Sequence, residues 1–204
     1  MIKFVSEEDV IDCINKSKIG RNTKFLQQSH SLWFRFKNYK KNPPFALLKD
    51  EKIVSVIFAT TSEKTKYINL YEICTIQGFE GKGYGTEIWQ EFVSYWYKNN
   101  MQRIKLSCTP SSITWHLRNG LVFWSVDKQG SLRSDQPLKP NIEQQKKLRD
   151  ESLINSELII PNKKVCDKLK LESLETIGLS QKKSLETYKA IQQVGKYWLR
   201  SYLF

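Results

Sequence analysis

Histidine is the scarcest chemical group in this sequence: its 204 residues contain two, His30 and His116. A histidine-rich metal centre is therefore out of reach, and only a site of one imidazole plus carboxylates stays open; no metal ligands are assigned. Cysteine is nearly as sparse. Cys13, Cys74, Cys108 and Cys166 stand far apart with no Cys-x-x-Cys pair, so neither a disulfide framework nor a zinc site finds support. Cys74 and Cys108 fall in strand-like apolar segments, where a thiol behaves as a small buried hydrophobe. No run of about eighteen apolar residues occurs, so no membrane-crossing helix is expected. The opening MIKFVSEEDVIDCINKSK mixes acids among its apolar residues and lacks a signal-peptide core, and a cytoplasmic location is expected. There is no internal repeat and no low-complexity tract.

Positive charge is what the chain has in excess. Lys and Arg number 33 against 21 Asp and Glu, a net charge of +12 and a pI near 9.5. Such a surplus favours anionic partners: nucleic acid, a nucleotide cofactor or an anionic surface. It is spread out, with 21 Lys+Arg against 13 Asp+Glu in residues 1–140 and 12 against 8 in residues 141–204. A diffuse surplus is also ordinary in lysine-rich small proteins.

The periodicities give a mixed α/β order of elements. Ser6 followed by three acids predicts a helix N-terminus. TKFLQQSHSLWFRFKNY predicts a second helix, stopped by Pro43 and Pro44. FALLKDEKIVSVIFATT reads as two strands turning at residues 50–52, and YINLYEICTI as a third strand. TEIWQEFVSYWYKNN sets Ile88, Trp89, Phe92, Val93 and Trp96 on one helical face. RIKLSCTP is a strand, SSITWHLRNG a short helix capped by Gly120, and LVFWSVDKQGSLRSDQPL a final hairpin. Beyond Pro140 the pattern is polar and helical. Two parts are expected: an α/β domain over 1–140 and a helical C-terminal extension over 141–204.

One stretch asks for a ligand. GFEGKGYG, residues 78–85, packs four glycines between a strand and a helix. Glycine is costly to order, and its use here clears side chains from a helix N-terminus whose N–H groups and dipole favour an anion. It is not a Walker A loop, because Lys82 precedes Gly83 instead of following the last glycine before a Ser or Thr. It is not a dinucleotide fingerprint either: the glycines run 81-x-83-x-85, and the next strand ends LSCTP without an acid.

FEGKGYGTEIW, residues 79–89, resembles the acyl-CoA loop of the GNAT N-acyltransferases, written Arg/Gln-x-x-Gly-x-Gly/Ala. Gly83 and Gly85 take the motif glycines, and Gly81 is glycine as in many members. The order of elements over residues 1 to about 138 agrees with that fold. The resemblance implies a GNAT-like twisted, mostly antiparallel sheet with flanking helices. It also implies acetyl-CoA or another acyl-CoA as cofactor, its pyrophosphate on the N–H groups of residues 80–86. Its pantetheine arm would lie between strand 69–76 and strand 103–109. The implied cofactor contacts are Ile73, Cys74, Thr75, Ile76, Glu80, Gly81, Lys82, Gly83, Tyr84, Gly85, Thr86 and Ser112. One departure stands out: the motif's Arg or Gln falls on Glu80, whose charge should weaken phosphate attraction, partly offset by Lys82.

Amine acylation needs a deprotonated amine, a stabilised oxyanion and a protonated leaving thiolate. TPSSITWHLRNGL aligns with the family segment that supplies a tyrosine acid, and His116 takes the tyrosine's place. Imidazole can donate that proton near neutral pH; the plain alternative is a helix histidine hydrogen-bonded at the surface. Glu72, a carboxylate in an apolar strand, is the candidate base, or else one half of a structural ion pair. The oxyanion would meet a strand N–H near residues 74–76.

The hairpin GSLRSDQPL alternates Ser131, Arg133 and Asp135 on one face, which would bind acceptor or be solvated. This stretch is similar to tails of GNAT-like phage proteins, some related to Mom-type DNA-base-modifying enzymes. That resemblance implies substrate roles for His30 and Asp135, with DNA or RNA, or a modified base, as acceptor. Two other classes of function stay open. An inactive GNAT-fold module would bind nucleic acid or a protein, and the C-terminal helices could form a homodimer through Tyr188, Ile191, Val194 and Trp198.

Overall fold

A computed structural model of the chain describes residues 1–108, 112–121, 125–126 and 132–155. The chain forms two compact units, Met1–Gln102 and Arg103–Phe204. The positions proposed for homodimer contact, Tyr188 to Trp198, and the turn at 127–130 lie outside the described residues.

The first unit runs β1 (Ile2–Phe4), α1 (Glu7–Lys16), α2 (Arg21–Arg35), β2 (Phe45–Lys49), β3 (Lys52–Ser62), β4 (Tyr67–Thr75) and α3 (Tyr84–Lys98). Ser6 starts α1 as expected, in a reciprocal cap: its hydroxyl accepts from Asp9 N–H at 3.2 Å while Asp9 accepts from Ser6 N–H at 2.9 Å. The β2–β3 hairpin turns on Asp50 and Glu51, both at positive φ (47° and 62°), the pair of left-handed residues that a two-residue turn demands. β1 is an element that periodicity missed. Three residues are too short to show alternation, and the strand forms by pairing Ile2, Lys3 and Phe4 with Leu47, Ala46 and Phe45.

β1 to β4 pair in chain order, all antiparallel. Ala46, Leu48, Val56, Phe58, Cys74 and Ile76 form a core with Val10 of α1 and with Leu26 and Trp33 of α2. Phe45 and Ile57 alternate to the opposite face. There Phe45 meets Phe92 of α3 edge-on at 5.5 Å, and Ile88, Trp89, Phe92 and Val93 are buried. The sheet is thus covered by α1 and α2 on one side and by α3 on the other. Its register slips once where it matters: Phe58 faces Glu72 and Ala59 faces Leu70, so Tyr71 is an extra residue on β4. This is a β-bulge, a device that re-aims neighbouring side chains.

The second unit holds β5 (Arg103–Cys108), α4 (Ile113–Arg118), β6 (Ser125–Val126), β7 (Leu132–Pro137) and α5 (Ile142–Asn155). β7 pairs antiparallel with both β5 and β6. Gly120 ends α4 at φ 83°, and a Cβ there would approach the α5 backbone at Gln145 and Lys146 to 2.8 Å. Gln145 is buried, accepts from Lys139 N–H at 2.9 Å and donates to the Pro137 carbonyl at 3.2 Å. The first turns of α5 are therefore built into this unit. Among the described residues no helix is long and apolar enough to cross a membrane.

Candidate active site

β4 delivers the chain into the glycine loop, and α3 takes it out. Gly78, Gly81 and Gly83 have φ of 90°, 74° and 80°, and nothing lies within 4 Å of where their Cβ atoms would be. Gly83 is the residue that caps α3, without a side-chain cap. Thr86 and Glu87 N–H both bond the Gly83 carbonyl at 3.0 Å. No hydrogen bond among the described residues uses the N–H groups of Gly81, Lys82, Gly83, Tyr84 or Gly85. Of the N–H groups of 80–86 read from the motif, that of Thr86 is already committed, and those of Gly81 to Gly85 stay open. Five unbonded N–H groups around a helix start, with open space before them, fit an oxyanion such as a phosphate.

The cations at the loop are Lys82, whose ammonium stands 5.4 Å from the Phe79 ring centroid, and Lys49, 5.6 Å from that of Tyr84. Lys49 also pairs with Glu87 at 2.7 Å. Glu80 acts differently from the expectation. Its carboxylate turns back, one oxygen accepting from Gly78 N–H at 2.6 Å and the other from the Asn22 amide at 3.0 Å. The Asn22 amide also donates to the Thr75 carbonyl at 2.8 Å, and Gln77 accepts from Asn22 N–H at 3.2 Å. Glu80 thus ties the loop to the start of α2 and needs two acceptor oxygens to do so. Glutamine, with one acceptor, would leave a donor facing a donor.

Glu72 is brought next to the bulge. Opposite Phe58 in register, it shares the sheet face of Phe58 and Cys74, the side that α2 covers. Tyr71 meets Trp33 of α2 edge-on at 5.4 Å, and Trp33 meets Phe58 at 5.4 Å. The Glu72 carboxylate has no ion pair among the described residues, and its buried Oε2 has no hydrogen-bond partner. The ion-pair reading therefore lacks a partner. Burial alone pushes its pKa up to about 7. An unpaired carboxyl that titrates at neutral pH is what a general base requires. The neighbouring Cys74 thiol is pushed up to about 12, first by burial, and is inert as a nucleophile.

Ile76 N–H bonds the Val54 carbonyl at 3.0 Å. By antiparallel alternation Cys74 N–H also faces β3, whereas the N–H groups of Ile73 and Thr75 face the other edge of β4. Of the stretch 74–76, Thr75 alone directs its N–H to that edge.

His116 and Ser112 belong to the second unit, Ser112 just before α4 and His116 within it. His116 is buried, with its ring edge-on to Trp115 at 5.1 Å. Desolvation lowers its pKa to about 4, which favours the uncharged ring at neutral pH. An unfolded histidine near 6.5 binds a proton that the folded ring refuses, so stability falls as pH drops from about 6.5 towards 4. His116→Gln is expected to lose that acid-side decline in a urea-unfolding series. A parallel decline in variant and wild type would contradict a buried neutral ring.

The substrate candidates belong to different units. His30 Nδ1 is 2.7 Å from the Tyr39 hydroxyl, in the first unit. Asp135 is held in the second unit by Arg103, at 2.9 Å and 3.0 Å, with Lys105 at 3.7 Å. Arg133 stands opposite Ser107 in the β5–β7 register; its side chain and all of Ser131 lie outside the described residues. Sequence reasoning missed Asn22 and Gln77, for which linear order carries no signal: Asn22 lies 53 positions from the carbonyl it binds.

The family model described as "Acetyltransferase (GNAT) family" matches residues 15–120. Among solved structures, the PaiA N-acetyltransferase of Thermoplasma acidophilum in complex with coenzyme A is similar at 12% identity and a TM-score of 0.52, over 67% of this chain and 98% of that one. Tetrahymena GCN5 is similar at 13% identity and a TM-score of 0.52, over 65% of this chain and 88% of that one. At these identities the likeness is one of fold. No curated protein sequence matches the chain.

Proposed function

The chain belongs to the GNAT acetyltransferase family, and from that premise we propose that it is an acyl-CoA-dependent N-acyltransferase. In this reading an acetyl or similar acyl group passes to an amine, and the acceptor is a nucleic acid or a modified base. The observation that carries the acyl-CoA part is the cradle of residues 81–85, which offers five unbonded N–H groups beside three glycines without side chains. The acceptor part draws support from the net charge of +12.

When bound, the thioester supplies an acyl carbon open to attack by an amine. Gly81 to Gly85 hold the pyrophosphate through backbone N–H groups, and Lys82 adds positive charge. Thr75 N–H is the donor offered to the carbonyl oxygen. Glu72 takes the proton that the amine nitrogen loses as the new C–N bond forms and the C–S bond breaks. A thiol near the cysteine reference pKa of about 8.5 would depart as thiolate and take its proton from solvent, so no strong acid is required of the chain. His116, neutral at working pH, is assigned a positioning role in the second unit instead of proton delivery.

Titrating the protein with acetyl-CoA in a calorimeter is expected to give saturable one-to-one binding, and native mass spectrometry of the purified protein should identify the acyl chain it carries. Absence of heat at millimolar ligand would overturn the reading. Binding without transfer to any amine would instead favour an inactive member of the family, for which the acid at Glu80 is the motive.

A further inference from the structure

Between Asp12 and Asp50 the chain has no acidic residue and nine cations. Seven of these, Lys18, Arg21, Lys24, Arg35, Lys37, Lys40 and Lys41, are exposed. None of the seven has an ion-pair partner among the described residues. Several cations elsewhere are paired: Lys16 with Asp12, Lys66 with Glu63, Arg103 with Asp135 and Lys146 with Glu143. What sets this segment apart is that its unpaired cations stand in a stretch of 37 residues, 13–49, without a single acid.

Helix geometry concentrates it further. At about 100° per residue, Arg21, Lys24, Phe25, Gln28, Leu32 and Arg35 fall in one stripe about 100° wide. All six are exposed, and the stripe lies opposite buried Thr23, Leu26, Ser29 and Trp33. The stripe is about 21 Å long from Arg21 to Arg35. Rings stand near the charges at the end of α2: Phe34 is 60% and Phe36 67% exposed.

We propose that the outer face of α2, continued by residues 36–41, binds single-stranded nucleic acid. Unpaired cations track a phosphate backbone, and exposed rings give bases a stacking surface. An interfacial membrane helix separates a broad apolar face from a charged one. Here Phe25 stands among the cations of the outer stripe and Phe36 follows at the end of α2, while Phe34 lies off the stripe, and the buried face of α2 is spent on the core. An acidic peptide would use the cations but not the rings. As the acceptor side of the enzyme, this surface rests on the acyl-transfer reading above, since α2 covers the sheet face that carries Glu72. As a binding surface it is tested without acyl-CoA, so either can fail alone.

The test is fluorescence anisotropy of a labelled 20-nucleotide single strand against the full chain over a potassium chloride series. A log–log salt slope of about −3.5 to −5 is expected if five to seven cations meet phosphates, at about −0.7 each. The Arg21→Gln, Lys24→Gln, Arg35→Gln triple variant should flatten the slope by about 2. Phe34→Ala with Phe36→Ala should weaken binding several-fold at unchanged slope. All five positions are exposed, and circular dichroism should show both variants folded. Salt-insensitive binding, or a triple variant that binds like wild type, would overturn the proposal. So would poly-glutamate competing as well as the oligonucleotide. Vesicles with 30% phosphatidylserine binding in preference to the strand would overturn it in favour of a membrane surface.

Discussion

Glu72→Gln is expected to lower kcat/KM for acyl transfer by about 10²- to 10⁴-fold while leaving the fold no less stable at pH 8. The two halves of that result come from one fact: the carboxylate is half-buried beside the bulge, with no paired cation and no partner for its buried Oε2 among the described residues. If it served as a structural ion pair, neutralising it would strip a counter-charge and destabilise the protein. With no counter-charge among the described residues, glutamine replaces a half-buried anion by a neutral group of the same shape. Thermal midpoints at pH 8, together with thiol release in the presence of any amine the wild type accepts, check both halves. A variant that is active, or one that unfolds many degrees earlier, would remove Glu72 from the role of base.

The pH dependence gives the same residue a second signature. A base must be ionised, so the wild-type rate should rise with pH and level off above an apparent pKa near 7. Stability runs the other way. The folded carboxyl keeps its proton up to about 7 while the unfolded one loses it near 4.5. Between those values the folded state binds more protons, and stability falls as pH rises. That decline should vanish in Glu72→Gln. It is opposite in sign to the His116 effect, so the two variants separate contributions that overlap between about pH 4.5 and 6.5.

Local chemistry is what the sequence carries best. Ser6 and its acids announce the first cap, the apolar face of α3 announces its packing, and the glycines announce an anion cradle before any coordinates. Relations across the chain are another matter. β1 exists because Phe45, Ala46 and Leu47 receive it. The bulge at Tyr71 is a mismatch of two strands and cannot be seen in either alone. Glu80 read as a misplaced charge because its neighbours in sequence are glycines and a lysine. Its partner Asn22 arrives from 58 residues away and turns the carboxylate into a brace. His116 matched a tyrosine's place by type, yet its charge state depends on burial, which a single helix turn does not disclose.

The loop itself yields the other large effect. Gly83→Val should weaken acetyl-CoA binding by at least about 100-fold, or about 2.7 kcal/mol, with only a modest loss of stability. Two costs arise at this position and have to be separated. A side chain at φ 80° is strained by about 1–2 kcal/mol whether or not ligand is bound. The second cost exists only with ligand, because the added side chain occupies the open space in front of the unbonded N–H groups. Gly78 supplies the control. It too has positive φ, 90°, and open space at its Cβ, but its N–H is already spent on Glu80 at 2.6 Å. Gly78→Val should therefore lower the thermal midpoint about as much as Gly83→Val and yet keep most of the affinity in a calorimetric titration. Equal loss of affinity in both variants would mean that the loop matters only through its conformation. Retained affinity in Gly83→Val would mean that the anion does not lie against residues 81–85. The strain is shared, so only a ligand seated on the backbone can make the two glycines differ.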